Sequence, residues 1–273
     1  KLFITLTTFL PLLIQAQADV WEPIITDGFG DSNQLGIIEF VQFNGELYAG
    51  TQRIPGPGAA QLWKSPTGDA GSWTQVHFDP GNLGIKGIVS VLAENGYLWI
   101  GVSDGMNGTG VYRTADGSTW MKINSGGFGE AGNVVPTPNM VLYQGPSDTT
   151  QYLYAGAGSH GGAFPGEIWR TPYDSTNASS WEKVIDFDTI DSTMTQITYF
   201  YEFDNRLFFG TNANGAIWES ADGLNFTINS SWDLEVEPTC IAVACFIEFQ
   251  NELFITTTNK VTGGKMYKTS DAA

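Results

Sequence analysis

A strand that follows a tight turn recurs five times along the chain. It occupies residues 47–50, 98–101, 153–156, 207–210 and 253–256 and reads LYAG, LWIG, LYAG, LFFG and LFIT. The steps between copies are 51, 55, 54 and 46 residues. The pair Asn-Gly, at 44–45 and 95–96, precedes the first two copies, and this pair between apolar runs is a strong hairpin signal. A repeat of this kind constrains the fold more than any other feature of the chain.

Each repeat contains four short apolar segments. An apolar run precedes the hairpin, and a third strand follows at residues 62–65, 111–114, 168–171, 217–220 and 266–269. The fourth segment opens with an aromatic residue in four copies: Trp73, Trp120, Trp181 and Phe226. No apolar stripe of helical period and length accompanies these strands. The pattern predicts an all-β fold, a β-propeller of four-stranded antiparallel blades, with Trp120 and Trp181 packed between sheets.

The two ends of the chain are predicted to complete one blade together. Residues 20–25 followed by Gly-Phe-Gly-Asp31 match residues 120–123 followed by Gly-Phe-Gly-Glu130, with the Phe of each turn tucked inward. The N-terminal segment then supplies a fourth strand beside residues 265–269, which closes five blades from five repeats and leaves no lone edge strand. The alternative is a fragment of a six- or seven-bladed ring.

Two polar turns resemble the Asp-box, or BNR repeat, in which Ser/Thr-x-Asp is followed by Gly and an aromatic residue. The matching residues are Thr114, Asp116, Gly117 and Trp120 in one copy, and Ser220, Asp222, Gly223 and Phe226 in the other. The resemblance implies a sialidase-like propeller whose Asp-box residues are structural turn-formers away from the active face. It specifies the fold well and the activity poorly.

Composition indicates a secreted protein. Residues 1–18 read as a signal peptide with a charged first residue, an apolar stretch and the small-residue site Ala-Gln-Ala, so residues 19–273 are predicted to form one propeller domain, extracellular or periplasmic. No other apolar run could span a bilayer. The formal net charge of −17 argues against nucleic acids and anionic membranes as partners.

No cofactor is predicted, although calcium is left open. The chain has two His and two Cys, too few soft ligands for a zinc site, and Cys240 and Cys245 lie too far apart along one strand to be bridged. The loop with Asp186, Asp188 and Asp191 could bind calcium through carboxylate oxygens, and a solvated loop is the plainer interpretation.

The strand order places the hairpins and Asp-box turns on one face, the hairpin face. Longer loops rich in Gly and Pro lie on the opposite face, the open face, where function is expected. The candidate ligand-face residues there are Arg53, Asp104, His160 and Asp188. Arg113 and Arg170 share the repeat position of Lys64 and are expected on strand surfaces, so the arginine cluster of a sialidase is missing.

These observations favour a secreted binding or scaffold module, directed to a glycan or an extracellular protein surface and monomeric. The alternatives are a glycoside hydrolase of the sialidase or xyloglucanase type and a protein-interaction or assembly-factor propeller. A hydrolase needs two carboxyl groups within about 10 Å of each other. A glycan-binding site would expose an aromatic side chain beside amides, and an interaction module would expose a broad apolar patch.

Overall fold

The computed structural model describes residues 22–53, 56–130, 132–133, 135–137, 139–159, 164–212, 215–229, 232 and 239–270. The predicted signal peptide and His160 lie outside these residues. The strands are β1 (Gln34–Phe43), β2 (Glu46–Arg53), β3 (Leu62–Ser65), β4 (Thr74–Val76), β5 (Ile85–Glu94), β6 (Tyr97–Asp104), β7 (Gly110–Thr114), β8 (Met121–Lys122), β9 (Val135–Pro136), β10 (Val141–Tyr143), β11 (Tyr152–Gly158), β12 (Glu167–Pro172), β13 (Glu182–Asp186), β14 (Ile197–Phe203), β15 (Arg206–Thr211), β16 (Ile217–Ser220), β17 (Thr227–Ile228), β18 (Cys240–Phe249), β19 (Glu252–Asn259) and β20 (Met266–Thr269). Short 3-10 turns span Gly126–Gly129 and Ala178–Ser180.

The strands form five consecutive antiparallel units, so the all-β prediction is confirmed. Blade 1 comprises β1–β4, blade 2 β5–β8, blade 3 β9–β13, blade 4 β14–β17 and blade 5 β18–β20. A pairing between Gln52 and Gly87 joins the first two blades into one eight-stranded sheet. In blade 3 the inner strand is divided into β9 and β10, both paired with β11. No helix in the described part of the chain is long and apolar enough to cross a membrane.

Residues with positive φ make the hairpins that join the first and second strands of blades 1, 2, 4 and 5. In the first hairpin Asn44 and Gly45 have φ of 50° and 79°, and the turn at 95–96 repeats this conformation. Asn and Gly adopt positive φ at little steric cost, and the resulting twist matches that of the two strands. Blades 4 and 5 reach the same conformation without Gly, through Asp204-Asn205 and Gln250-Asn251.

A glycine in the second strand lets the next blade approach closely. A β carbon on Gly50 would lie 2.8 Å from Ile88 Cγ2 in blade 2, and one on Gly210 would lie 2.8 Å from Val243 Cβ in blade 5. Neither distance is compatible with a real side chain, so the glycines of the repeated LYAG-type strand are needed for packing between blades. The four buried apolar clusters lie largely at these interfaces between successive blades.

An aromatic residue on the connection into each blade contacts the aromatic residue of that blade's third strand. We call this contact the aromatic interlock, and it occurs five times in the described residues. The pairs and their ring-centroid distances are Phe29–Trp63 (4.5 Å), Phe78–Tyr112 (5.0 Å), Phe128–Trp169 (5.3 Å), Phe187–Trp218 (5.4 Å) and Trp232–Tyr267 (5.0 Å). Stacked and edge-on geometries both occur, each favourable for aromatic rings.

The two Gly-Phe-Gly turns adopt the same conformation. Phe29 and Phe128 have φ of 60° and 57° and lie between glycines that also have positive φ. Each Phe stacks on the third-strand Trp and meets the fourth-strand Trp edge-on, at 5.6 Å for Trp73 and 4.9 Å for Trp181. The inward-facing Phe that the sequence predicted is therefore confirmed. Trp181 itself is only partly buried, and its indole N–H donates to Ile123 O at 2.7 Å.

The two Asp-box-like turns are superimposable in their hydrogen bonds. Thr114 Oγ1 accepts a bond from Gly117 N at 2.9 Å, and Asp116 Oδ1 accepts bonds from the backbone N–H groups of Ser118 and Thr119, both at 2.7 Å. These bonds lower the pKa of Asp116, with Thr119 N–H the largest cause. Ser220 and Asp222 repeat the arrangement.

The turns lie on the hairpin face, as the strand order predicts. Asn44 Nδ2 in the first hairpin donates to Ala115 O, at 3.3 Å, in the Asp-box-like turn of blade 2. Tyr143 OH lies 2.9 Å from both Asn205 O and Ala221 O and shares its one hydrogen between them, which ties a hairpin to a turn in blade 4.

Closure of the ring by residues 20–25 stays a prediction. Val20 and Trp21 lie outside the described residues, and Glu22–Ile25 belong to no described strand. Ile247, Phe249 and Met266 of blade 5 are exposed, whereas the equivalent positions of blade 1 face blade 2.

The aromatic interlock should contribute strongly to stability. Phe128→Ala removes a ring that is 7% exposed, and we expect the free energy of unfolding to fall by about 3–4 kcal/mol, measured by chemical denaturation. The matched control is Phe164→Ala, since Phe164 is 52% exposed and should change stability by less than about 0.5 kcal/mol. A loss below about 1 kcal/mol for Phe128→Ala would contradict the role assigned to the interlock.

Candidate functional site

Arg53, predicted to face a ligand, braces its own loop. Its guanidinium group forms an ion pair with Asp31, and its Nε and Nη2 donate to Pro57 O at 3.0 and 2.6 Å. Bonds from Asn33 and then from Arg53 hold the pKa of Asp31 well below its usual range. Each of the three guanidinium nitrogens is therefore bonded to a residue of blade 1 or of the segment that leads into it.

Asp104, also predicted to face a ligand, is buried at 1% exposure. Its Oδ1 accepts bonds from the N–H groups of Met106 and Asn107, and its Oδ2 accepts one from Asn82 Nδ2, all at 2.9 Å. Burial raises its pKa, but the bonds from Asn107, Asn82 and Met106 outweigh burial and the net pKa is lowered. Asp104 is thus an anionic anchor of the open-face loop of blade 2.

The predicted ligand-face residues do not converge on one site. Arg53 and Asp104 close loops in different blades, and His160 lies outside the described residues. Asp188 is exposed and lines a cleft on the open face of blade 3.

The prediction that Arg113 and Arg170 lie on strand surfaces is wrong, because both side chains are buried. They stack over the rings of Tyr97 and Tyr152, at 4.3 and 4.2 Å, which shields both guanidinium groups from water.

The cleft that includes Asp188 has a volume of about 550 Å³, and we call it the Lys183 cleft. It lies over the third and fourth strands of blade 3, where the connection from blade 2 and the β11–β12 loop meet. Its lining residues are Glu130, Gly132, Asn133, Phe164, Pro165, Glu167, Lys183, Asp186 and Asp188.

Lys183 organises the floor of this cleft. Its Nζ contacts Glu167 Oε1 at 2.5 Å, Asp186 Oδ2 at 3.2 Å and Glu130 Oε1 at 3.5 Å. It also lies 5.1 Å from the centre of the Trp169 ring, whose indole N–H donates to Glu167 Oε2 at 2.9 Å. Burial lowers the pKa of Lys183, but the bonds to Glu167 and Asp186 outweigh burial and raise it.

The Lys183 network brings the carboxyl groups of Glu130 and Glu167 together around one ammonium group. Since Glu130 and Glu167 contact Nζ at 3.5 and 2.5 Å, their oxygens lie at most about 6 Å apart, close to the spacing of a retaining glycosidase pair. A glycosidase also needs one protonated carboxyl group. Glu130 Oε1 and Glu167 Oε1 instead both accept hydrogen bonds from Lys183 Nζ. The arrangement therefore suits the binding of a polar ligand better than proton donation.

A second open-face cleft lies beside the first, and we call it the Lys122 cleft. It has a volume of about 620 Å³. Its lining residues are Asp79, Gly81, Asn82, Leu83, Gly84, Met106, Asn107, Lys122 and Gly126. Lys122 Nζ lies 5.6 Å from the centre of the Tyr112 ring, in the same relation as Lys183 to Trp169.

A carboxyl group with an elevated pKa lies on the inner strand of blade 1. Burial raises the pKa of Glu39 to about 7, and no hydrogen bond from a described residue offsets this effect. Burial, the Cys245 thiol and the Glu39 carboxylate, in that order, raise the pKa of Tyr199. Inner strands of blades 1, 4 and 5 therefore bring Glu39, Tyr199 and Cys245 close enough to interact electrostatically.

Sequence reasoning missed most of the Lys183 cleft. Glu167, Lys183 and Asn133 come from separate segments, and only the folded chain brings them together. One signal was present in the sequence, because Lys122 and Lys183 each stand two residues after the tryptophan of the fourth strand.

No group of three or more His, Cys, Asp or Glu in the described residues is placed to hold a metal ion. Cys240 and Cys245 form no disulfide bond, and calcium binding by the loop at 186–191 stays a prediction.

No protein-family model matches the chain, and no curated protein matches it by sequence. Its fold is similar to that of a prolyl endopeptidase, with a TM-score of 0.53 and 13% identity over 86% of this chain and 33% of that protein. A luciferin-regenerating enzyme also has a TM-score of 0.53, with 11% identity over 85% of this chain and 76% of the other. An endo-arabinase from Bacteroides thetaiotaomicron has a TM-score of 0.42, with 10% identity over 87% of this chain and 95% of the other.

These similarities concern the fold alone. The chain spans about a third of the prolyl endopeptidase. Identities of 10–13% carry no information about shared catalytic residues, and a TM-score of 0.42 supports no functional comparison. Function must therefore be argued from the site.

Asp104 should behave as a structural residue. Asp104→Ala leaves the N–H groups of Met106 and Asn107 without their acceptor, and we expect it to cost at least about 2 kcal/mol of stability, measured by chemical denaturation. The control is Asp188→Asn, which alters an exposed carboxylate and should leave stability within about 0.5 kcal/mol of the unchanged protein. If Asp104→Ala is as stable as the unchanged protein, the structural role is wrong and Asp104 is again a candidate ligand contact.

Proposed function

We propose that the chain is a carbohydrate-binding module that takes a neutral glycan in the Lys183 cleft. The observation that carries the proposal is an exposed aromatic ring, Phe164, beside an amide and several carboxylates in an open polar cleft. A sugar ring has apolar C–H faces and a rim of hydroxyl groups. Such a ligand is matched by a flat apolar surface with hydrogen-bonding groups in fixed positions around it.

The polar groups of the cleft are held in place before any ligand binds. Asn133 Nδ2 donates to Glu167 Oε2 and, at 3.2 Å, to Gly127 O. Glu167 in turn accepts bonds from Lys183 and from the Trp169 indole. Groups fixed in this way lose little conformational entropy on binding, which favours affinity.

The charge of the cleft selects against acidic sugars. One lysine stands among four carboxylates, those of Glu130, Glu167, Asp186 and Asp188. An anionic glycan would meet net repulsion there, and the chain as a whole carries a net charge of −17. A neutral glycan can use the carboxylates as acceptors for its hydroxyl groups.

Export from the cell, a relationship to Asp-box propellers and a monomeric state are part of the same proposal. Export through a signal peptide over residues 1–18 would place the module outside the cell or in the periplasm, where glycans are encountered. The two turns with bonded Asp116 and Asp222 support a relationship to Asp-box propellers. A monomer is consistent with a site built within one chain.

The test is binding to a glycan array and to soluble xyloglucan, arabinan and galactomannan. Phe164→Ala should weaken binding about 10-fold, about 1.4 kcal/mol, because it removes the apolar platform, while the melting temperature stays unchanged. The matched control is Leu224→Ala, which removes an exposed apolar side chain on the hairpin face and should leave affinity unchanged. Equal losses in both variants, or no glycan binding by the unchanged protein, would overturn the proposal.

A second candidate function is glycoside hydrolysis, and Glu39 is the observation that favours it. A carboxyl group with a pKa of about 7 is about half protonated at neutral pH, and its protonated form can serve as a general acid. If Glu39 acts so, hydrolysis of the same polysaccharides should fall as pH rises through about 7, because the carboxyl group then loses its proton.

Glu39→Gln should abolish that activity and leave glycan binding by the Lys183 cleft intact. Glu94→Gln is the control, because Glu94 lies at the end of the inner strand of blade 2 and burial also raises its pKa. Reducing-sugar release measured across pH checks both variants. Absence of any release by the unchanged protein would rule out hydrolysis of these substrates and leave the binding proposal standing.

A further inference from the structure

The Lys122 cleft is built by the same repeat positions as the Lys183 cleft. Each lysine stands in the fourth strand, two residues after that strand's tryptophan. Each ammonium group lies over the third-strand aromatic ring of its own blade, at 5.6 Å from Tyr112 and 5.1 Å from Trp169. Because neighbouring blades repeat the same geometry, the two lysines hold equivalent places on the open face.

The two clefts also share their chemistry. In each, the loop between the second and third strands carries an exposed apolar side chain, Met106 at 78% exposure and Phe164 at 52%. In each, an amide side chain is fixed nearby. In the Lys122 cleft, Asn82 Nδ2 donates to Asp79 Oδ2 at 2.9 Å, and Asn107 Nδ2 donates to Asn82 Oδ1 at 3.2 Å.

One short segment forms the wall between the clefts. Gly126 lines the Lys122 cleft and Glu130 lines the Lys183 cleft, and four peptide units separate them by no more than about 15 Å. The wall is fixed, because Gly127 N donates to Thr109 O at 2.9 Å and Thr109 N donates to Asn133 O at 2.6 Å. A β carbon on Gly108 would lie 2.5 Å from Gly127 N, so loop and wall are in direct contact. The spacing of the clefts is therefore set before binding.

We infer that the two clefts are subsites for one glycan chain, so that the ligand is a neutral polysaccharide rather than a terminal sugar. The inference rests on the proposed function and extends it to a second site. A chain that fills one cleft meets the second at high effective concentration, because both belong to one rigid surface. Affinity should therefore rise steeply once an oligosaccharide is long enough to cross the wall.

The experiment measures affinity against oligosaccharide length by calorimetry. The probes are fragments of xyloglucan, arabinan and galactomannan from disaccharides upward, tested on the whole chain. For the unchanged protein we expect a step of at least about 10-fold in affinity at the spanning length. Met106→Ala should remove the step and leave the affinity for short fragments unchanged, because it alters the Lys122 cleft alone. Phe164→Ala should weaken the binding of short fragments and remove the step as well.

The outcomes separate this inference from the proposed function. A step that survives Met106→Ala, or equal affinities for short and long fragments, would overturn the second subsite while leaving binding in the Lys183 cleft intact. No binding of any fragment by the unchanged protein would overturn both. Leu224→Ala serves again as the control, and unchanged melting temperatures show that each variant is folded.

Discussion

The aromatic interlock is the contact on which the rest of the structure depends. Each connection delivers one ring to the third strand of the blade it enters, so the turn between blades and the packing of the next blade are fixed by one interaction. The same contact shapes the open face. The Trp169 ring that Phe128 stacks on, at an interplanar angle of 10°, also lies 5.1 Å from Lys183 Nζ. A cleft thus forms where a connection meets the outer strands, and it recurs because the interlock recurs.

The period of the repeat explains how much of the fold could be predicted from the sequence. Hairpins, strand order and the inward-facing Phe of the Gly-Phe-Gly turns follow from local patterns, because each depends on residues that are close in the chain. The burial of individual side chains could not be predicted from these local patterns. Arg113 and Arg170 occupy the strand position of the half-buried Lys64, yet both are buried because Tyr97 and Tyr152 offer aromatic faces to them. A repeat alignment equates positions but does not show which neighbouring side chains cover them.

The candidate site was harder to predict for a related reason. Acidic residues on the open face look alike in sequence, but their environments differ. The carboxylate of Asp104 turns inward and accepts bonds from its own loop, whereas that of Asp188 stays exposed in a cleft. The first is a loop anchor and the second is available to a ligand. Only the path of the backbone after the strand decides between them, because the anchoring bonds come from N–H groups two and three residues further on.

The charge of the chain explains why so many of its carboxylates act as turn-formers. With 12 Lys and Arg against 29 Asp and Glu, cations are too few to pair with every acid. Asp104, Asp116 and Asp222 accept hydrogen bonds instead from backbone N–H groups and from side-chain amides or hydroxyl groups, which lower their pKa values without a cation. The acids around Lys183 differ from these aspartates, because three carboxylates contact one ammonium group there. Two of these carboxylates, on Glu130 and Asp186, are partly exposed, and ion pairs of that kind contribute little to stability. The proposed glycan ligand would use this fixed array, because its hydroxyl groups can donate to acceptors that face an open cleft.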